Sequence, residues 1–142
     1  MISTTGYLLD TNVVAETRKV RAEPAVLAFL KAAEESALFL SVLTLGELRK
    51  GVEARRRIDS TVAVDQLGMW VDGIETTYAE RVLPVDTSVA RIWGELSATR
   101  SLPVIDTLIA ATAIVHGLSL VTRNTRDAAF TGVPLINPWR AQ

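Results

Sequence analysis

Residues 105–122, Ile105-Asp106-Thr107-Leu108-Ile109-Ala110-Ala111-Thr112-Ala113-Ile114-Val115-His116-Gly117-Leu118-Ser119-Leu120-Val121-Thr122, read as a long helix that stops at Gly117 and passes at once into a strand. Glycine closes helices because it takes the left-handed backbone without a Cβ clash. The strand is a short apolar run without polar alternation, the pattern of a strand buried on both faces beneath helices. Residues 7–9, 37–42 and 82–85 repeat that pattern, with 133–136 as a candidate fifth. Helical stretches fill the gaps, so the chain alternates β and α throughout and is expected to fold as an α/β sandwich around a parallel sheet.

The intervening helices carry boundary signals of their own. Pro24 suits the first turn of a helix through Ala25, Val26, Phe29 and Leu30, where its missing N–H costs nothing, and Glu34 and Glu35 end that stretch. Thr44-Leu45-Gly46-Glu47 matches a capping box and opens a helix whose apolar side carries Leu45, Leu48 and Val52. Arg55, Arg56 and Arg57 close it, favourably for the helix dipole. Residues 61–81 place Leu67, Trp70, Val71, Ile74 and Tyr78 at helical spacing, although Gly68 and Gly73 lower the helix propensity. Asp86 suits the N-cap of a helix carrying Val89, Ile92, Trp93 and Leu96, which Ser101-Leu102-Pro103 breaks. Trp70, Trp93 and Trp139 are expected in the core or at an interface. No repeat, low-complexity tract or linker appears, so one domain is expected over residues 1–142.

Composition narrows the chemistry. The 142 residues carry 15 Lys plus Arg against 16 Asp plus Glu, a net charge of −1, with 49% hydrophobic residues. That balance argues against a protein that coats nucleic acid by bulk charge. Without cysteine there are no disulfides, thiolate zinc sites or cysteine nucleophiles, and a single histidine, His116, excludes most histidine chemistry. The opening MISTTGYLLD does not read as a signal peptide, and no apolar run reaches membrane-spanning length, so the expected address is the cytoplasm with no membrane contact.

Ligands of open parallel sheets bind beyond the carboxyl ends of the strands, and acids collect there. Asp10 follows the first strand, Glu47 lies in the first turn after the second, Asp106 near the start of the last long helix, and Asp127 five residues past Thr122. Each also has a structural reading: Asp10 as a helix cap, Glu47 as part of the capping box, Asp106 as a partner of the helix dipole, Asp127 as a loop acid or cap. Gathered carboxylates repel unless a cation compensates them. Oxygen ligands suit Mg²⁺ or Mn²⁺, which keep waters and leave room for a substrate phosphate, the setting of metal-assisted phosphodiester hydrolysis. Asp86-Thr87 repeats the Asp-Thr pair of Asp10-Thr11 and Asp106-Thr107, and is assigned to capping alone.

The chain resembles PIN-domain ribonucleases, and among them the VapC-type toxins of bacterial toxin–antitoxin operons. The resemblance covers nearly the whole chain and rests on four motifs in family order: Tyr7-Leu8-Leu9-Asp10-Thr11-Asn12, Leu45-Gly46-Glu47-Leu48-Arg49-Lys50-Gly51, Asp106-Thr107-Leu108-Ile109-Ala110-Ala111-Thr112-Ala113 and Leu120-Val121-Thr122-Arg123-Asn124-Thr125-Arg126-Asp127. It implies a three-layer α/β/α sandwich with a central parallel sheet, and endonucleolytic RNA cleavage in an acidic pocket of Asp10, Glu47, Asp106 and Asp127. Asp10 and Asp106 are the implied direct ligands of Mg²⁺ or Mn²⁺; Thr11, Asn12, Thr122 and Asn124 match polar positions flanking the pocket. This sequence departs from the family in delaying the aromatic after the fourth acid to Phe130, and in carrying Asn124 where some members have a further acid.

The resemblance further implies a VapB-like antitoxin whose tail covers the pocket, a homodimer, and operator DNA bound only through the antitoxin. Candidate RNA contacts are Arg49, Lys50, Arg123 and Arg126, with Arg55, Arg56 and Arg57 equally suited to a solvated helix face. A receiver domain that accepts a phosphoryl group shares the α/β architecture, but its adjacent acids after the first strand and its late lysine are missing. A haloacid-dehalogenase-like phosphatase needs an acid where Asn12 stands. A catalytically silent antitoxin-binding PIN protein is the remaining alternative.

Overall fold

A computed structural model describes residues 6–59 and 61–140; residues 1–5 of the stretch read for a signal peptide lie outside them. Among these residues five strands, β1 (Tyr7–Leu9), β2 (Leu38–Ser41), β3 (Val82–Leu83), β4 (Ser119–Val121) and β5 (Leu135–Ile136), form one sheet in the order β3-β2-β1-β4-β5. All neighbouring pairs are parallel. The candidate fifth strand is therefore real, and the order differs from the 2-1-3-4-5 arrangement a receiver-like fold requires.

Among the described residues seven α-helices connect the strands: α1 (Thr11–Glu16), α2 (Pro24–Ala32), α3 (Val42–Ile58), α4 (Val62–Thr77), α5 (Thr87–Ser97), α6 (Val104–His116) and α7 (Thr125–Ala128). Alternate strand side chains point to opposite faces, so Leu9, Leu38, Leu40 and Val121 meet Val13, Val14, Val26, Leu48, Val52 and Val71 on one side. Leu8 and Leu120 meet Ile109, Ala110 and Ala113 of α6 on the other. This is the expected three-layer sandwich. Leu8, Leu9 and Leu40 are at most 1% exposed, and truncating any of them to alanine costs about 2–5 kcal/mol.

Helix boundaries follow local chemistry and correct the sequence reading in two places. α3 begins at Val42, because Ser41 caps it by accepting from the Leu43 N–H at 3.0 Å. Thr44-Leu45-Gly46-Glu47 therefore lies inside the helix, and Glu47 stands in its second turn rather than in a capping box. α4 runs unbroken through Gly68 and Gly73 and ends at Thr77, short of the expected Arg81, which falls in a separate 3₁₀ turn, Ala79–Arg81. Asp86 caps α5 as expected, accepting from the Val89 N–H at 3.0 Å. Gly117, at φ 65°, closes α6 with the paired bonds Gly117 N–H to Ile114 O and Leu118 N–H to Ala113 O, and thereby aims the chain into β4. Among the described residues, no helix is long and apolar enough to cross a membrane.

Candidate active site

Asp10 stands where β1 leaves the sheet, its N–H still bonded to Val121 O of β4 at 2.9 Å. Its carboxylate accepts from the Thr11 N–H at Oδ1 (2.8 Å) and from the Thr122 hydroxyl (2.8 Å) and Asn12 amide (3.4 Å) at Oδ2. Capping and site position thus coexist in one side chain. Burial pushes the Asp10 carboxyl above the usual range, the Thr122 and Thr11 bonds oppose that rise, and the negative charges of Asp106 and Glu47 add to it.

The other acids arrive from three elements. Glu47 on α3 takes the Thr11 hydroxyl at Oε1, and that hydroxyl also lies 3.2 Å from Thr44 Oγ1. Asp106, the third residue of α6, is open to solvent on one side and has no hydrogen bond to its carboxylate among the described residues. Partial burial, then Glu47, then Asp127 raise its carboxyl. Asp127 in the short α7 receives the Asn124 amide at Oδ2, 3.3 Å away. The four acids thus form an electrostatic chain, with Asp10 and Asp106 each feeling two others and Asp127 the outermost member.

The flanking polar residues hold this arrangement. Asn12 donates to both Asp10 and Thr122 Oγ1 and accepts the Arg123 N–H at 3.3 Å, tying the end of β1 to the end of β4. Thr122 Oγ1 also accepts the Asn124 N–H at 3.0 Å. Asn124 does what an acid in its place does not: its amide donates to Asp127.

This architecture has known counterparts. The PIN-domain family profile matches residues 7–132. The chain belongs to the PIN-domain family, in its VapC-type branch. It is 36% identical to VapC ribonuclease Y4jK of Sinorhizobium fredii over 93% of this chain and 96% of that protein. It is 32% identical to toxin FitB of Neisseria gonorrhoeae over 93% and 97% of the two chains. A structure of FitAB bound to an IR36 DNA fragment superposes with a TM-score of 0.87 at 29% identity, covering 96% of this chain and 97% of that one.

In this PIN domain, no group of three or more His, Asp or Glu residues forms a finished metal cage among the described residues. The donor set nevertheless fits a hard divalent cation. Asp106 has both oxygens open, Glu47 and Asp127 have one each, and no Lys or Arg pairs with any of the four acids among the described residues. Magnesium takes only one or two carboxylates directly and fills its other positions with water and substrate oxygen.

The candidate RNA-binding residues divide. Arg49 faces α4 and is held by Asp72 (2.7 Å) and Glu75 (3.1 Å), so its charge is engaged within the fold. Arg56 is likewise paired, with Asp65 at 2.8 Å. Lys50 lines a groove of about 490 Å³ with Val42, Leu43, Gly46, Glu47 and Ile105. Glu47 also borders a second groove of about 590 Å³, between α1, α3 and α4, whose wall includes Arg18, Leu67 and Trp70. Arg123 and Arg126 are exposed beyond β4. Phe130, the delayed aromatic, is 57% exposed and lies under the guanidinium of Arg100.

Sequence reasoning missed two features of the PIN domain. Trp139 packs half-buried against the core as expected, but its ring also carries the guanidinium of Arg123, a contact no short motif signals. Glu16 is a buried acid at the end of α1; it is matched by Lys19 (2.9 Å) and the Glu23 N–H (2.9 Å), which lower its carboxyl below the usual range. Its spacing of three from Lys19 was the available signal, although α1 ends at Glu16 and Lys19 lies in the turn that follows.

Proposed function

We propose that this PIN domain is a divalent-metal-dependent endoribonuclease, the toxin of a type II toxin–antitoxin pair, held inactive by a VapB-like antitoxin. One observation carries the reading: Asp10 is buried, its charge opposed by Asp106 and Glu47, with no cationic side chain paired to it among the described residues. Similarity to a VapC ribonuclease and to toxin FitB supports it. Bound Mg²⁺ or Mn²⁺ supplies Lewis acidity toward phosphate oxygen and makes water easier to deprotonate.

The chain's residues set the geometry around that chemistry. Asp10 and Asp106 are the residues that would hold the cation. Thr122 and Asn12 fix the Asp10 carboxylate, and Thr11 fixes Glu47, leaving Glu47 Oε2 as an oxygen able to take a proton. Asp127 completes the pocket. Lys50, Arg123 and Arg126 are the candidate cations for RNA phosphates, with Arg49 paired to Asp72 and Glu75. On this reading operator DNA is reached through the antitoxin, and the likeness to FitAB, solved bound to an IR36 DNA fragment, supports a DNA-binding assembly. The reading places the toxin in the cytoplasm and expects a homodimer, which sedimentation at micromolar concentration checks.

The test is expression of the chain with and without its antitoxin, followed by purification and assay on single-stranded RNA. Growth arrest relieved by the antitoxin and cleavage abolished by EDTA are expected. Asp10→Asn and Asp106→Asn should both abolish cleavage while remaining folded; persistent cleavage in both rejects the assignment.

A further inference from the structure

Beyond β4 and β5, Arg123 and Trp139 form a construction that the four acids do not explain. The Arg123 guanidinium carbon lies 5.1 Å from the centroid of the Trp139 ring. Trp139 is itself fixed: its backbone N–H donates to Asn137 Oδ1 at 2.9 Å, and its ring packs against the core. The Arg123 backbone is fixed too, through its N–H to Asn12 Oδ1, and Asn12 is the residue whose amide reaches Asp10. The cation is therefore held at both ends and registered against the first carboxylate of the site.

Its donors nevertheless remain open. Arg123 makes no side-chain hydrogen bond or ion pair among the described residues. Its acidic neighbour Glu16 is already matched by Lys19 and the Glu23 N–H, so Glu16 senses Arg123 without binding it. A guanidinium held over an indole face engages the ring without using its N–H groups, so its planar fork stays available to grip a phosphate with two parallel N–H bonds. Holding it there in advance lowers the conformational entropy lost on binding.

We infer that Arg123, seated on Trp139, is a preset clamp for an RNA phosphate flanking the bond to be cut, with Trp139 and Asn12 as its positioning residues. The inference rests on the nuclease reading and deepens it, giving the pocket a fixed cationic end beside its anionic centre. Strand placement explains the pairing: β4 and β5 are parallel neighbours, so residues just past their ends emerge on the same edge as Asp10.

The test is steady-state cleavage of a fluorescent single-stranded oligoribonucleotide by the full chain over a range of salt concentrations. Arg123→Ala should raise KM about 10-fold with kcat within about 3-fold, and flatten the slope of log(kcat/KM) against log salt by about 0.7, one phosphate contact on a single strand. Arg123→Lys should restore the slope but only part of the KM. Trp139→Phe should keep the slope and raise KM by a smaller factor, and Trp139→Leu by a larger one; Trp139→Phe serves alone if the leucine variant does not fold. Wild-type KM and slope in Arg123→Ala overturn the clamp, as does weakened antitoxin binding with RNA kinetics unchanged. If the wild type cleaves no RNA, the nuclease reading fails instead. The Kd of the same oligonucleotide for Asp106→Asn then decides the clamp separately: about 10-fold weakening by Arg123→Ala supports it, and no change rejects it.

Discussion

The hydroxyl of Thr122 donates to Asp10 Oδ2 at 2.8 Å across 112 residues of sequence, joining the carboxyl end of β4 to that of β1 in a fully buried bond. Thr122 is 1% exposed and Asp10 9%. The same oxygen of Thr122 accepts from Asn12 and from the Asn124 N–H, so one hydroxyl organises the polar floor between the two central strands.

Thr122→Val keeps the volume but removes the donor and both acceptor contacts. A buried carboxylate that loses a partner costs about 1–3 kcal/mol, so the melting temperature should fall by several degrees. Loss of that bond also removes an influence that holds the Asp10 carboxyl down, so its protonation should shift further upward. RNA cleavage should drop about 10–100-fold, as when a residue supporting a metal ligand is lost. Thr122→Ser should behave close to wild type in both melting and cleavage assays; equal damage in the two variants would show that the hydroxyl is not the operative group.

Gly117 and Gly73 should respond in opposite directions to the same change. Gly117 sits at φ 65°, where an added Cβ meets no neighbour but the backbone itself is unfavourable for an L side chain. Gly117→Ala should cost about 1–2 kcal/mol, with Gly117→Asn milder. Gly73 lies within α4 with open space around it, so Gly73→Ala should add about 0.5–1 kcal/mol. Thermal or urea unfolding reads both, and a shared sign would overturn the backbone argument.

Much of this was legible in the sequence because strand identity and acid placement share one rule. Runs buried on both faces announce a covered parallel sheet, and the residues just after Leu9 and Val121 emerge together because parallel strands end on the same side. The start of α3 was misread because Ser41 and Thr44 are both competent caps, and only packing shows that Thr44 is buried against Thr11. The engagement of Arg49 was not legible because its partners, Asp72 and Glu75, lie on a different helix. Such pairings between elements leave no periodic trace.

Arg81 offers a test of the far edge of the sheet. Its guanidinium donates to Glu35 O and Leu38 O, each at 2.7 Å, and to Thr77 O at 2.9 Å, and it lies 4.8 Å from the Tyr78 ring centroid. One planar group thus ties the chain before β2 to the end of α4. Lysine has three donors on a single nitrogen and cannot span these acceptors. Arg81→Lys should therefore destabilise by about 1–2 kcal/mol and Arg81→Ala by more. RNA cleavage well below the melting transition should be unchanged for both, because the edge is remote from the acids; a large kcat effect would contradict that separation.

Asp106→Asn separates charge from structure most cleanly, since the Asp106 carboxylate has no hydrogen bond to lose among the described residues. An aspartate is ordinarily half-ionised near pH 3.9, and in the fold this one is held above that by partial burial, Glu47 and Asp127. The native state therefore binds the proton more tightly than the unfolded chain, and the wild type loses stability as pH rises from about 3.9 through the raised value. Asparagine carries no such penalty. Without metal, Asp106→Asn should melt slightly above wild type at pH 7, the gain kept small by solvent screening, and the difference should vanish as pH falls through the carboxylate range. Added Mg²⁺ or Mn²⁺ should reverse the order, because a ligand at about 100 times its Kd stabilises the wild type by ~2.7 kcal/mol and has little hold on the variant. Asp10→Asn should gain less without metal, because its amide cannot accept all three bonds that Asp10 now takes. A wild type whose melting ignores both cations, together with an Asp106→Asn variant less stable than it at pH 7, would mean that these carboxylates do not form a cation-dependent site.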